Sequence, residues 1–269
     1  MSNFKPAIAT TVAVIGLALG GAAANDAAAQ SKSDQIPLLE WEESLVKYQF
    51  DADKFVGQRF TGQCPPVSGG HKVEGLTGTD VYPSDTSICG AALHAGQIDK
   101  EGGVVTVQLN PGAESYAGSS RNGVDSGGLS GGTKRSIVFV GEETSPAVHE
   151  VFVEKAPRLD WKKKFTATGF ANKKLLGQQF TFNCNPAPRN LKPRRIVGTD
   201  LYAFNSVICV AAVHAGKISM DGGLVTVQLE PGEKKLAGSI RNGIESKDGS
   251  GGHTTISFVD TPPAPVVQN

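Results

Sequence analysis

Four cysteines, five histidines and a run of basic side chains are the residues of this 269-residue chain whose types and spacing suggest chemistry. His94 follows Asp85 and Ser87 closely enough to suggest a nucleophilic triad. The position matching Ser87 further along is Val207, however, and no Gly-x-Ser-x-Gly elbow follows an apolar strand. The chain therefore reads as a non-enzyme, with His94 and His214 as core histidines satisfied by backbone partners. His71, His94, His149, His214 and His253 are scattered without the spacing of zinc ligands, so neither a metal nor another cofactor is expected. Gly127–Gly132 lacks the Lys-Ser or Lys-Thr pair and the following helix of a phosphate loop, and reads as a hairpin. What remains is charge. Lys162, Lys163, Lys164, Lys173, Lys174, Arg189, Lys192, Arg194 and Arg195 form a cluster able to draw anions such as envelope phosphates or an acidic polysaccharide.

The elements that position these residues are written twice. Leu39-Glu40-Trp41 returns as Leu159-Asp160-Trp161, and Gly57-Gln58-Arg59-Phe60-Thr61 as Gly177-Gln178-Gln179-Phe180-Thr181, at a constant offset of 120. The offset holds through Arg121-Asn122-Gly123 and Arg241-Asn242-Gly243, then slips by one so that Phe139 answers Phe258. Two self-contained domains follow, at 39–140 and 159–259, with a linker at 141–158, a mobile segment at 30–38 and a mobile tail at 260–269.

Within each unit, Ser84 or Asp85 opens a helix over Ile88–Ala95 that Gly96 closes; Asn205 or Ser206 opens its counterpart, Ile208–Ala215, closed by Gly216. The helix is apolar on all sides, so it belongs in the interior. Alternation in Val104–Leu109 marks a strand, Asn122-Gly123 a turn, and Ser136–Val140 a closing strand. Trp41 and Trp161 read as lids on the core rather than sugar-stacking platforms. The fold class is α+β, with a short buried central helix among short antiparallel strands in each of two similar domains.

Thirty-three glycines favour such a turn-rich fold over a helical bundle. Lys5 ahead of an apolar run from Ala7 to Gly20, then small residues, reads as a cleavable signal peptide over 1–29, with cleavage between Asn25 and Gln30. No later segment is long enough to span a membrane, so the mature protein is expected to be secreted or periplasmic. There Cys64 pairs with Cys89 and Cys184 with Cys209, each 25 residues apart, one disulfide per unit. The net charge of zero excludes a uniformly basic nucleic-acid binder, but it hides two opposite halves. Gln30 to His149 carries nine Lys and Arg against fifteen Asp and Glu, and Glu150 to Asn269 sixteen against ten. The sign reverses at matched positions: Glu42 and Lys162, Glu43 and Lys163, Asp53 and Lys173.

The words Gly78-Thr79-Asp80-Val81-Tyr82, Ser87-Ile88-Cys89, Ala91-Ala92-Leu93-His94-Ala95-Gly96 and Gly102-Gly103-Val104-Val105, with their copies in the second unit, resemble the LCCL domain family, the module type of cochlin and factor C. The likeness covers both units nearly end to end. It implies a central helix wrapped by irregular β-structure in an extracellular, non-enzymatic module, for which lipopolysaccharide binding or host defence has been suggested. Many members carry four cysteines per domain where each unit here has two, and no family ligand site can be carried over. The expected function is recognition of an anionic envelope glycan, lipopolysaccharide or lipid headgroup by the second unit. The alternative is structural self-association of acidic with basic units.

Overall fold

The computed structural model describes residues 36–68, 73–141, 154–191 and 195–261. The signal segment, His71, His149, Lys192 and Arg194 therefore lie outside the described residues. The first unit contains β1 (Arg59–Cys64), β2 (Val81–Pro83), α1 (Ile88–Ala95), β3 (Gly103–Pro111) and β4 (Arg135–Phe139). The second contains β5 (Arg158–Leu159), β6 (Gln179–Cys184), β7 (Gly198–Thr199), β8 (Leu201–Ala203), α2 (Ile208–His214), β9 (Gly223–Pro231) and β10 (Thr254–Val259).

The sheets run in the order β1-β3-β4-β2 and β7-β8-β10-β9-β6-β5. Every neighbouring pair is antiparallel except β5 and β6, which are parallel. Register repeats with the sequence: Phe60 faces Val107 in one unit and Phe180 faces Val227 in the other. In β1 the buried positions alternate, Phe60, Gly62 and Cys64 following the two-residue period of a half-buried strand. The helix is wholly interior because Ile88 through His94 have no polar face to give to water.

Ser87, not Ser84 or Asp85, caps α1: its hydroxyl accepts the Gly90 N–H at 2.9 Å. Its counterpart α2 begins after Val207 without a side-chain cap, so neither Asn205 nor Ser206 serves. The closing glycines are placed as expected. Gly96 and Gly216 both sit at φ 73°, a left-handed conformation that would strain a side chain. The disulfides join Cys64 to Cys89 and Cys184 to Cys209, tying β1 to α1 and β6 to α2.

One expectation is overturned. The two units do not have separate interiors: Phe50, Phe55 and Phe60 of the first share a continuous apolar core with Phe170, Leu175 and Phe180 of the second. Phe55 lies 5.0 Å from Phe170 and 6.3 Å from Phe180, centroid to centroid. The reason is size, since a unit of about 100 residues with one short helix leaves Phe50, Phe55 and Phe60 short of cover, and the pairing supplies it. The ends of the expected mobile and linker segments are likewise engaged. Leu38 bridges Gln63, Arg158 enters β5, and Asp260 pairs with Lys217 at 2.6 Å.

Candidate functional site

The first sequence candidate, His94, is buried and holds a structural network. Its Nδ1 lies 2.8 Å from the Tyr82 hydroxyl and its Nε2 3.2 Å from the Ser119 carbonyl oxygen. A carbonyl only accepts, so Nε2 carries the proton and Nδ1 accepts from the phenol. His214, Tyr202 and Ser239 repeat the arrangement at the same distances. Ser87 is turned elsewhere, its hydroxyl donating to the Trp41 carbonyl, so no triad is assembled. Burial pushes both phenols up, to about 12, against opposing hydrogen bonds from the Asp80 and Asp200 backbones. Asn122 donates from its side chain to the His94 carbonyl at 3.0 Å, so the Asn-Gly turn also caps the helix end. Among the described residues no His, Cys, Asp and Glu cluster is arranged to hold a metal.

The basic candidates separate into groups. Lys174 is used internally, donating to the Lys47 carbonyl of the first unit at 3.1 Å. Lys162 and Lys163 are exposed on the turn after Trp161, and Arg189 is exposed in the loop after β6. Lys164 and Arg195 come together across one cavity of about 530 Å³, walled by Val197 and Val207. Lys173 stands on a second cavity of about 490 Å³, lined among others by Ala171, Phe204, Leu229, His253 and Thr254. Asn205 and Ser250 line both, so the two cavities adjoin. Among the described residues no carboxylate lines either one.

The first unit shows why the Lys173 cavity exists. At the positions matching Ala171, Lys173 and Thr254 it has Asp51, Asp53 and Arg135. There the Arg135 guanidinium lies 2.7 Å from Asp53 and 3.6 Å from Asp51, so a long ion-paired side chain stands at the position where the second unit has the short Thr254. Replacing the arginine by threonine and one aspartate by alanine removes the plug. Replacing the other aspartate by lysine leaves a cation at the rim. Sequence reasoning missed this: it noted Asp53 against Lys173 but not the accompanying change of Arg135 to Thr254, which was the readable signal. Glu43, one side of the sign reversal with Lys163, is buried and engaged by Lys47 and the Tyr48 hydroxyl.

The profile of a family described as LCCL domain matches residues 39–136 and again 159–256. Human cysteine-rich secretory protein LCCL domain-containing 2 is 33% identical over 186 residues, covering 69% of this chain and 35% of that protein. Human vitrin is 41% identical over 75 residues, 28% of this chain and 11% of vitrin, and human cochlin 45% over 69 residues, 25% and 12%. The chain thus spans about a third or less of the length of these relatives.

Proposed function

The chain belongs to the LCCL domain family, and on that premise we propose that it is an extracytoplasmic binding module, not an enzyme, whose second unit recognises an anionic glycan or lipid headgroup of a cell envelope. The observation that carries this reading is the pair Lys164 and Arg195 facing one cavity that no carboxylate among the described residues lines. Two cations that share a partly enclosed space repel each other and are stabilised by an anion between them. The first unit has Ser44, Gly75 and Asp85 where the second has Lys164, Arg195 and Asn205, so the feature belongs to the second unit alone. Two disulfides and relatives that include a cysteine-rich secretory protein support the location, and no helix among the described residues is long and apolar enough to cross a membrane. A secreted or periplasmic setting after signal cleavage is part of the same proposal.

Binding to immobilised lipopolysaccharide, acidic polysaccharide and anionic vesicles, measured at low and high ionic strength, tests the reading. Affinity is expected to fall steeply with salt, and by about tenfold or more on reversing Lys162, Lys163 and Arg195 to glutamate. Binding indifferent to salt and to these changes would refute it. The opposite charge of the two halves favours one alternative, assembly between molecules. Salt-sensitive oligomers in sedimentation, without ligand, would mark that case.

A further inference from the structure

We propose that the two adjoining cavities of the second unit form one two-lobed site for an acidic oligosaccharide, with an anionic sugar against Lys164 and Arg195 and the neighbouring ring against Phe204. The inference rests on the anion-binding reading above and adds the ligand class and the place.

Each lobe has its own chemistry. The Lys164–Arg195 lobe brings two cations, the second a guanidinium whose planar fork matches a carboxylate. The other lobe is mainly apolar, with the half-buried ring of Phe204 beside Leu229 and Ala203, yet its wall also carries the side chains of Asn172, His253 and Thr254. A sugar ring offers that combination, a C–H face for an aromatic ring and an edge of hydroxyls for amide and hydroxyl partners. Asn205 and Ser250, common to both lobes, stand where a glycosidic link would pass. The volumes, about 490 and 530 Å³, fall within the range of small-molecule sites and give each lobe room for one ring. An acyl chain suits the site less, because polar groups interrupt the apolar wall. A bilayer surface suits it less again, because the large apolar side chains exposed among the described residues, such as Val104, Met220 and Ile240, line neither cavity.

The molecule supplies its own controls, since the first unit shows which residues close the site. The combined variant A171D, K173D and T254R rebuilds the Asp-Asp-Arg plug in the apolar lobe. F204S removes the ring platform, and the pair K164S and R195G empties the cationic lobe. All are residues that the first unit already accommodates. Calorimetry with a trigalacturonate probe and its methyl ester, beside anionic phosphatidylglycerol vesicles and lipopolysaccharide, reads the outcome on the full chain, with thermal melting as the folding control. Each variant is expected to weaken trigalacturonate binding about tenfold or more, and the ester to bind the intact protein as weakly. If the plugged variant melts below the assay temperature, F204S and K164S with R195G decide. Undiminished binding by the variants would overturn the site, while salt-dependent anion binding persisting through Lys162 and Lys163 would leave the broader reading standing. Vesicles or lipopolysaccharide held more tightly than the sugar, and lost on plugging, would overturn the sugar assignment. Failure of every anion to bind would remove both.

Discussion

Tyr82 and Tyr202 are the residues on which the interior of each unit turns, because each phenol is fully buried and donates a hydrogen bond to the Nδ1 of a buried histidine. Their pKa values near 12 lie above the ordinary value of 10, so the folded chain holds these two protons more tightly than the unfolded chain does. A raised folded-state value gives stability that is intact below pH 10 and lost as pH climbs towards 12. The loss is on the order of 3 kcal/mol for each phenol. Thermal melting followed upward from neutral pH is expected to show a steep alkaline decline across that window. Tyr82→Phe with Tyr202→Phe should flatten the decline while lowering the neutral-pH stability by about 1–3 kcal/mol per site, since each histidine then keeps a buried, unpaired Nδ1. A decline of equal steepness in the double variant would place its origin elsewhere. The histidines were visible in the sequence as core residues, and Ser119 and Ser239 supply the backbone partners expected for them. The tyrosines were not assigned, because a pairing across 12 residues between a strand and a helix leaves no periodic trace.

The helix, its capping glycine, the long strand and the closing strand of each unit were legible because each is local: an apolar run, a turn residue and an alternation suffice to mark them. The cap was misassigned, since Ser84, Asp85 and Ser87 are all competent by type and only the direction of the entering chain selects Ser87. The second copy has valine there and goes uncapped, which makes its helix entry the weaker of the two. The disulfides compensate alike in both units by fixing the first turn of each helix to the adjacent strand. Each closes a separation of 25 residues, for which chain entropy gives about 3.5 kcal/mol. Replacing Cys184 and Cys209 by alanine is therefore expected to cost more than the same change at Cys64 and Cys89, where Ser87 still holds the helix start. Urea unfolding of the two double variants compares them directly, and equal losses would mean that the cap contributes nothing measurable.

At the scale of the whole molecule, the duplication is a pairing, and the pairing is nearly symmetric. Gln58 reaches across to Thr181, accepting its N–H at 2.8 Å and donating to its carbonyl at 3.1 Å. Gln178 does the same to Thr61, both bonds at 2.8 Å. Each side-chain amide thus imitates the backbone of a neighbouring strand, and the aromatic rows of both units close over the pair. The 120-residue offset made the matching residues plain, but repetition alone does not say whether two copies stand apart or share an interior. That depends on whether Phe50, Phe60 and Phe180 find enough cover at home, which no spacing records. A shared interior means that neither unit can lose its packing without exposing the other, so the chain should unfold in one step. Each unit carries one tryptophan, Trp41 or Trp161, which makes the claim measurable. With Trp161→Phe the fluorescence reports the first unit, and with Trp41→Phe the second. The two urea midpoints should coincide, and Gln58→Ala should shift both together by about 2–3 kcal/mol, because it strands a buried N–H and carbonyl of the opposite unit. Two separate midpoints, or a Gln58→Ala effect confined to one reporter, would mean that the units are independent domains lying in contact.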